Sequence, residues 1–219
     1  MREYIKDGMK LFNGDCMVGM AQYPDNYFDL AIVDPPYGIN LANMNMGAGK
    51  SPKSTKIENR QWEAKDWDLS IPDDSYFKEL IRVSKNQIIW GGNYFDLGVC
   101  GKYIIWDKEI PLGLSFSDCE YAHTSFNGAN KMFRYSAYLD KSNKMHPTQK
   151  PVKLYSWLLQ NYSSPEHKIL DTHLGSASHA IAWHYFQKGG EFVGFELDEE
   201  YFDKSIKRIE QETAQLSMF

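Results

Sequence analysis

Short apolar runs and helical patterns alternate along this sequence. Apolar runs enriched in β-branched and aromatic residues predict buried strands. These runs span 9–13, 28–33, 87–90, 103–106, 119–126, 168–170 and 192–195. Helices are predicted over 16–22, 75–83, 151–162, 180–187 and 199–211. The alternation predicts an α/β fold with a doubly wound, mostly parallel seven-stranded sheet.

The run over 28–33 ends abruptly at Asp34-Pro35-Pro36-Tyr37. Two consecutive prolines fix the backbone and donate no hydrogen bond, so the turn is expected to be rigid. Ligands of open α/β sheets bind at the carboxyl ends of the strands. The turn is therefore expected to present a carboxylate, backbone carbonyls and one aromatic ring to a ligand cleft.

These groups suit a planar substrate that carries an amino group on a heteroaromatic ring. The lone pair of such an amine is delocalised into the ring, which makes the amine a poor nucleophile. The Asp34 carboxylate and the Pro35 carbonyl can accept hydrogen bonds from the amine and direct its lone pair toward an electrophile. Tyr37 can stack on the ring and hold it in place. A turn that merely ends a strand is the alternative.

Three further blocks follow along the chain. They are His146-Pro147-Thr148-Gln149-Lys150-Pro151, Ile169-Leu170-Asp171-Thr172-His173-Leu174-Gly175-Ser176-Ala177 and Phe192-Val193-Gly194-Phe195-Glu196-Leu197-Asp198. With the proline-containing turn they resemble, in order, the amino-methylating DNA methyltransferases of the beta class, in which the catalytic motif precedes the cofactor motif. The resemblance covers nearly the whole chain. It implies one domain over 1–219 with the Rossmann-like fold of S-adenosylmethionine-dependent methyltransferases and a permuted motif order.

The resemblance also implies the residues of the site. The catalytic set would be Asp34, Pro35, Pro36 and Tyr37. The residues expected around the cofactor S-adenosylmethionine are Asp15, His146, Thr148, Gln149, Lys150, Asp171, His173, Leu174, Gly175, Ser176, Ala177, Glu196 and Leu197. Asp15 has an equally strong alternative as the cap of helix 16–22. Glu196 ends a strand, where an acidic residue can accept hydrogen bonds from both ribose hydroxyls.

Two positions of the glycine-containing turn depart from the family pattern. Ala177 stands where a second glycine is usual, and His173 stands where an aromatic residue is common. Alanine adds little volume, so the cofactor pocket is expected to persist. The individual contacts to the cofactor are less firmly implied.

The implied activity is methyl transfer to N6 of adenine in double-stranded DNA. The adenine would be flipped out of the duplex, because its amino group cannot otherwise reach the methyl donor. Adenine is preferred because the resembling N4-cytosine enzymes mostly carry serine as the first motif residue. An N4-cytosine DNA methyltransferase and an RNA adenine N6-methyltransferase are the alternatives. A DNA-tethered module without catalysis and a protein-glutamine methyltransferase are more distant ones.

The net charge of −5 and the pI of about 5.7 indicate that any DNA contact needs a local basic patch. The segment at about 38–70 is predicted to be either a mobile loop that contacts DNA or a flexible insertion. Its candidate DNA-binding residues are Lys50, Lys53, Lys56 and Arg60.

A target-recognition insertion is predicted at about 107–145, where Lys131 and Arg134 accompany aromatic residues that can equally belong to the core. Residues 131–135 predict a strand or part of a surface hairpin.

The sequence lacks a run of about 18 apolar residues and a secretory signal, so no membrane span is expected. Three cysteines without Cys-x-x-Cys spacing are typical of reduced thiols, which favours a cytoplasmic protein. The resemblance implies a bacterial or phage-encoded protein and leaves the choice between the two open. His173, His179 and His184 have no matching ligand pattern, so no metal is expected.

The tail at 214–219 contains Gln215-Leu216-Ser217-Met218-Phe219. This peptide resembles the motif by which bacterial DNA-handling proteins bind the replication sliding clamp, and its apolar anchors fit peptide-in-groove recognition. A frayed amphipathic terminus is the alternative. A homodimer is left open.

Overall fold

The structure of the protein, a computed structural model, describes residues 1–39, 68, 70–111, 117–136, 139, 145 and 148–214. Within these ranges the strands are β1 Arg2–Lys6, β2 Met9–Asn13, β3 Leu30–Val33, β4 Gln87–Trp90, β5 Tyr103–Asp107, β6 Cys119–Thr124, β7 Lys131–Arg134, β8 Lys168–Asp171 and β9 Glu191–Glu196. The helices are α1 Cys16–Met20, α2 Asp74–Val83, α3 Val152–Tyr162, α4 Ser178–Phe186 and α5 Glu199–Ala214.

The strands of the described residues form one sheet in the order β1-β2-β9-β8-β3-β4-β6-β5-β7. Strands β2, β9, β8, β3 and β4 are parallel, and β5 and β7 run in the same direction. Strands β1 and β6 run in the opposite direction. The sheet is therefore mixed.

The prediction of seven strands is wrong in number, because the described part of the chain contains nine. Strand β1 was not predicted. It is an exposed edge strand without an apolar run, and it pairs with β2 across Asp7 and Gly8, both of which have positive φ. Such an Asp-Gly hairpin turn is a sequence signal in its own right. Strand β7, left open between a strand and a hairpin, forms the other edge of the sheet.

The central strand β3 is buried on both faces, and its alternate residues enter two apolar clusters. Leu30 and Ile32 pack into the cluster that includes residues of α3, α4 and α5. Ala31 and Val33 pack into the cluster that includes residues of α1 and α2. This period-two arrangement between two helical layers explains why β3 is a continuous apolar run in the sequence.

Strands β3 and β8 lie side by side, and the chain leaves them in opposite directions. The chain passes from β8 through α4 to β9 on one side, and from β3 through α2 to β4 on the other. The crevice outside the carboxyl ends at such a switch point is the usual ligand site of open α/β sheets. Asp34 follows β3 and Asp171 ends β8, so both lie at this crevice.

No helix in the described ranges combines the length and the apolar character that a membrane crossing requires.

Some of the predictions concern residues outside the described ranges. They concern most of the loop at about 38–70, with Lys50, Lys53, Lys56 and Arg60, and also His146 and the tail peptide Gln215–Phe219.

Candidate active site

A cavity of about 570 Å³ opens at the carboxyl ends of β2, β3, β8 and β9. Its volume suits a ligand of nucleoside size. The residues that line it are Gly14, Asp15, Cys16, Asp34, Pro36, Thr148, Gln149, Lys150, Tyr155, Thr172, His173, Leu174, Gly175, Ser176, Ser178, Glu196, Leu197, Asp198 and Tyr201.

The turn after β3 is held by a buried carboxylate. Asp68 Oδ1 accepts hydrogen bonds from the backbone N–H groups of Tyr37 at 2.8 Å and Gly38 at 3.0 Å. Pro35 is buried, whereas Pro36 lines the cavity. Two prolines and this buried acceptor fix the direction in which Asp34 leaves the strand.

The carboxylate of Asp34 has a partner on each oxygen. The Lys150 ammonium donates to Oδ2, and the Tyr37 hydroxyl donates to Oδ1 at 2.5 Å. The Lys150 side chain is only 2% exposed and also lies 3.1 Å from Oε2 of Glu120, at the start of β6. Charge-assisted hydrogen bonds of this kind are stronger than neutral ones. The Asp34 carboxylate is therefore held in a defined orientation at the cavity wall.

The ring of Tyr37 lies on other protein groups. It stacks on Tyr94 with ring centroids 4.9 Å apart and an interplanar angle of 13°. The Gly91 backbone approaches so closely that an added Cβ would lie 2.2 Å from the Tyr37 ring. The expected stacking of Tyr37 on a substrate base stays a prediction, and Tyr94 occupies ring surface that such stacking would use.

The charges around Asp34 shift one another's pKa values. Burial raises the pKa of Asp34 above its usual range, although Lys150 favours the ionised form. Burial also disfavours the charged forms of Glu120 and Lys150. For each of them, the attraction to neighbouring groups of opposite charge has the larger effect on the pKa. The pKa of Glu120 is consequently lowered and that of Lys150 is raised. Lys150 is thus an ammonium between two carboxylates.

The turn between β8 and α4 is built around a buried aspartate. Asp171 Oδ1 accepts the backbone N–H of His173 at 3.1 Å, and Oδ2 lies 3.0 Å from Nδ1 of His179 in α4. Gly175 and Ala177 both have positive φ, at 52° and 60°. Ala177 is fully buried beneath the cavity. The backbone of this turn, rather than the Asp171 carboxylate, faces the cavity.

Glu196 lies next to this turn in the cavity wall. Its carboxylate accepts the N–H of Gly175 at 2.8 Å and the N–H of Asp198 at 3.0 Å. Burial, with the nearby charges of Asp198 and Asp171, raises the pKa of Glu196 to about 7 against these hydrogen bonds. Asp15 also lines the cavity. Its side chain accepts the backbone N–H of Met17 at 2.8 Å and so caps α1.

Most of the predicted cofactor residues that the structure describes meet in this one cavity. Those that line it are Asp15, Thr148, Gln149, Lys150, His173, Leu174, Gly175, Ser176, Glu196 and Leu197. Asp171 and Ala177 lie behind the wall. Burial lowers the pKa of His173 to about 4, so its ring is neutral at pH 7.

The predicted recognition insertion at about 107–145 contains β6 and β7 of the central sheet. Phe126 and Phe133 pack against the apolar core, which is the alternative that the sequence left open. Lys131 and Arg134 lie at opposite ends of β7, and Arg134 Nε is 3.2 Å from the Asp107 carboxylate.

Sequence reasoning missed Glu120, Tyr94 and Asp68. None of them lies in a recognisable motif, and each reaches the site from a separate part of the chain. A charged residue inside the predicted strand 119–126 was the available signal for Glu120, because a buried charge there needs a partner. No comparable signal indicated Asp68 or Tyr94.

The switch-point cavity and its ordered carboxylate define an α/β enzyme with a site for a nucleoside-like ligand. The sequence profile of the N6/N4 methyltransferase family, described as DNA methylase, matches residues 89–208. The chain therefore belongs to the N6/N4 DNA methylase family.

Individual relatives agree with this assignment. The chain is 22% identical over 260 residues to the Type II methyltransferase M2.MboI of Moraxella bovis, covering 97% of this chain and 93% of that protein. The crystal structure of the M1.HpyAVI–SAM complex matches with a TM-score of 0.59 at 17% identity, over 91% of this chain and 99% of the other. The cytosine-N4-specific PvuII DNA methyltransferase matches with a TM-score of 0.61 at 13% identity, over 96% and 92%. The two structural matches show a shared fold.

Proposed function

We propose that the chain transfers a methyl group from S-adenosylmethionine to N6 of an adenine flipped out of DNA. One observation carries the proposal. The Asp34 carboxylate, which can orient an amine, opens into the same cavity as the Gly175 turn and Glu196. An amine acceptor and a nucleoside-like methyl donor could therefore meet at this wall.

The cavity fits S-adenosylmethionine in charge as well as in volume. Among the described residues, its lining includes the carboxylates of Asp15, Asp34, Glu196 and Asp198 but only one lysine or arginine, Lys150. An acidic wall suits a donor with a sulfonium and an ammonium group. Glu196 would accept the ribose hydroxyls, and the Gly175 turn lets the backbone approach the ligand. When bound, the donor supplies a methyl group that is already activated, without help from a metal.

The residues of the chain would then act on the target amine. Asp34 and the Pro35 carbonyl would accept its hydrogen bonds and stabilise the positive charge that develops on nitrogen. Tyr37 and Lys150 hold the Asp34 carboxylate in one orientation. That orientation is fixed before the substrate arrives, so no reorganisation is needed at the moment of transfer.

N4 of cytosine is the second candidate acceptor, because the family covers both amines and the PvuII enzyme is cytosine-specific. The chemical problem is the same for the two bases. Adenine is favoured here because the motif begins with Asp34, whereas the resembling cytosine enzymes mostly begin with serine. Because Asp34 precedes the Gly175 turn along the chain, we also infer that the chain is a beta-class member.

Labelled methyl transfer to unmethylated DNA and to RNA, followed by nucleoside mass analysis, tests the proposal. N6-methyladenine from DNA is the expected product, and Asp34→Ala should reduce its formation by about 100-fold or more while donor binding persists. N4-methylcytosine would overturn the base assignment but keep the amine chemistry. Label in RNA alone, or no label, would contradict the proposal.

We also propose that the peptide Gln215–Phe219 binds a replication sliding clamp. The peptide lies outside the described residues, so the proposal depends on its sequence and on the DNA-linked activity. Removal of the five residues should abolish co-precipitation with purified clamp and leave methyl transfer to free DNA unchanged. Clamp binding by the shortened chain would contradict it.

A further inference from the structure

A row of alternating charges leads away from the proposed methyl-transfer centre. It runs from Asp34 to the Lys150 ammonium, then to Glu120 at 3.1 Å, and on to Lys108, whose Nζ lies 3.4 Å from Glu120 Oε1. The members come from the turn after β3, the segment before α3, the start of β6 and the end of β5. Asp34 and Lys150 belong to the motifs, whereas Glu120 and Lys108 do not.

The row brings two carboxylates to one ammonium. Lys150 is almost fully buried, at 2% exposure, while the side chains of Asp34 and Glu120 retain 18% and 25%. A buried ammonium is costly unless it is paired, and here its charge is divided between two acceptors. The division matters because Asp34 is the group that faces the substrate.

Lys150 alone would weaken Asp34 as an acceptor. When a carboxylate forms an exclusive ion pair, the positive charge of its partner offsets most of the negative electrostatic potential at the carboxylate oxygens. The carboxylate then attracts an incoming N–H group less strongly. The negative charge of Glu120 offsets part of the positive charge of Lys150, so the electrostatic potential at the Asp34 oxygens becomes more negative. Lys108 balances Glu120 from the far side and allows it to stay ionised.

We propose that Glu120 is a positioning residue for methyl transfer, which shares the Lys150 ammonium with Asp34 and thereby keeps Asp34 a strong hydrogen-bond acceptor. The inference rests on the proposed function. It assigns a role in the reaction to a residue that touches neither the donor cavity nor the target amine, and that acts through Lys150.

The proposal implies a pH signature. The groups that face Asp34 are Lys150 before α3, Tyr37 in its own turn, Glu120 on β6, Tyr155 on α3 and Tyr76 on α2. The tyrosines have raised pKa values and stay neutral near pH 7. Glu120 is therefore the facing anion, and its charge raises the pKa of Asp34.

Glu120→Gln tests the proposal, because glutamine keeps the size and shape of the side chain but carries no charge. The acid limb of the kcat–pH profile, which reports ionisation of Asp34, should move to lower pH by roughly one unit. The kcat plateau should fall by roughly tenfold because a less basic acceptor stabilises the charged amine less. The KM for S-adenosylmethionine should stay within about twofold of the original value.

Glu191→Gln is the matched control. Glu191 is another partly buried glutamate paired with a lysine, Lys10 at 2.7 Å, but it lies at the amino end of β9, whereas Asp34 follows the carboxyl end of β3. Its substitution should leave the acid limb in place. An acid limb that does not move in Glu120→Gln, whether activity is full or uniformly reduced, overturns the inference. Absence of transfer by the unaltered chain is a different result and overturns the proposed function.

Urea unfolding of single and double variants tests the pairing of Glu120 with Lys150 without an activity assay. Lys150→Met leaves Asp34 without its cation and leaves Glu120 with Lys108 alone, so the urea midpoint of this variant should fall. Adding Glu120→Gln removes the repulsion between the two carboxylates that Lys150 no longer separates, and the double variant should unfold at a higher urea concentration than Lys150→Met alone. A double variant no more stable than that single variant would show that Glu120 does not share Lys150, and would overturn the inference.

Discussion

The Asp171 carboxylate and the imidazole of His179 form a buried pair, with Oδ2 and Nδ1 3.0 Å apart and the side chains 4% and 1% exposed. The same carboxylate accepts the backbone N–H of His173. The His179 ring in turn stacks on Tyr155, with centroids 4.8 Å apart. Asp171 thus ties the cavity-forming turn to α4, and the motif aspartate supports the backbone from behind.

Replacement of His179 by alanine should therefore weaken both the fold and the donor site. The change leaves a buried carboxylate without its side-chain partner and opens a space beside Tyr155. Unfolding free energy should fall by about 3 kcal/mol, measured by urea titration. Calorimetric affinity for S-adenosylmethionine should fall as the turn loosens.

His184→Ala is the control for this substitution, since His184 lies on the same helix but does not contact Asp171. It should cost no more than about 1 kcal/mol and leave donor affinity unchanged. Equal losses in the two variants would mean that the Asp171–His179 pair has no special role in holding the turn.

Gly91 lies against Tyr37, in the turn after β3, and has a conformation that favours glycine. Its φ is 72°, and an added Cβ would meet the Tyr37 ring at 2.2 Å. Gly91→Ala should therefore displace Tyr37, whose hydroxyl orients Asp34, and lower kcat by about tenfold or more. Steady-state kinetics with saturating donor measures this effect.

Gly98 separates the clash from the backbone strain. It has the same φ of 72°, but nothing lies within 4 Å of its added Cβ. Gly98→Ala should pay only the strain of a left-handed alanine, about 1 kcal/mol, with normal kcat. If both variants keep full activity, the placement of Tyr37 does not matter for the reaction.

The strand that precedes Asp34 was predictable because β3 is buried on both faces and stops at two prolines. The meeting of Asp34 with the Gly175 turn followed from a general rule about strand ends. Each of these inferences used residues that are close together in the sequence or that sit at a strand terminus.

The electrostatic partners of Asp34 were not predictable in the same way. Glu120 reaches Lys150 because antiparallel β6 inserts between β4 and β5, and hydrophobic periodicity does not encode the order of strands. Lys150 was expected only at the donor pocket. Its second contact, with Asp34, appears once two distant segments fold against the same strand end.

Donor binding should depend on pH through Glu196. The pKa of this carboxyl is about 7, so it is mostly protonated at pH 6 and mostly ionised at pH 8. In the proposed donor site the ionised form would accept the ribose hydroxyl hydrogen bonds, and affinity for S-adenosylmethionine should therefore rise roughly tenfold from pH 6 to pH 8. Calorimetry across this range measures the change.

Glu196→Gln assigns that dependence. The amide cannot ionise, and it cannot accept from both Gly175 and Asp198, so its affinity should be lower than that of the unaltered chain at pH 8. Its pH dependence should also be flatter. A variant with the original slope would assign the titration to another group, such as the amino group of the donor.

The two basic residues of β7 should contribute unequally to DNA binding. Strand β7 runs parallel to β5, with Lys131 opposite Ile104 and Arg134 opposite Asp107. Arg134 is therefore at the carboxyl edge of the sheet, where Asp34 also lies, and its side chain is 71% exposed. Lys131 is at the amino end, away from the cavity.

If the duplex lies across the carboxyl edge, Arg134→Ala should weaken DNA binding severalfold and reduce the slope of log K against log salt by about one. Lys131→Ala should change neither quantity in the same fluorescence anisotropy titrations, and equal effects would place DNA over the whole face of the strand.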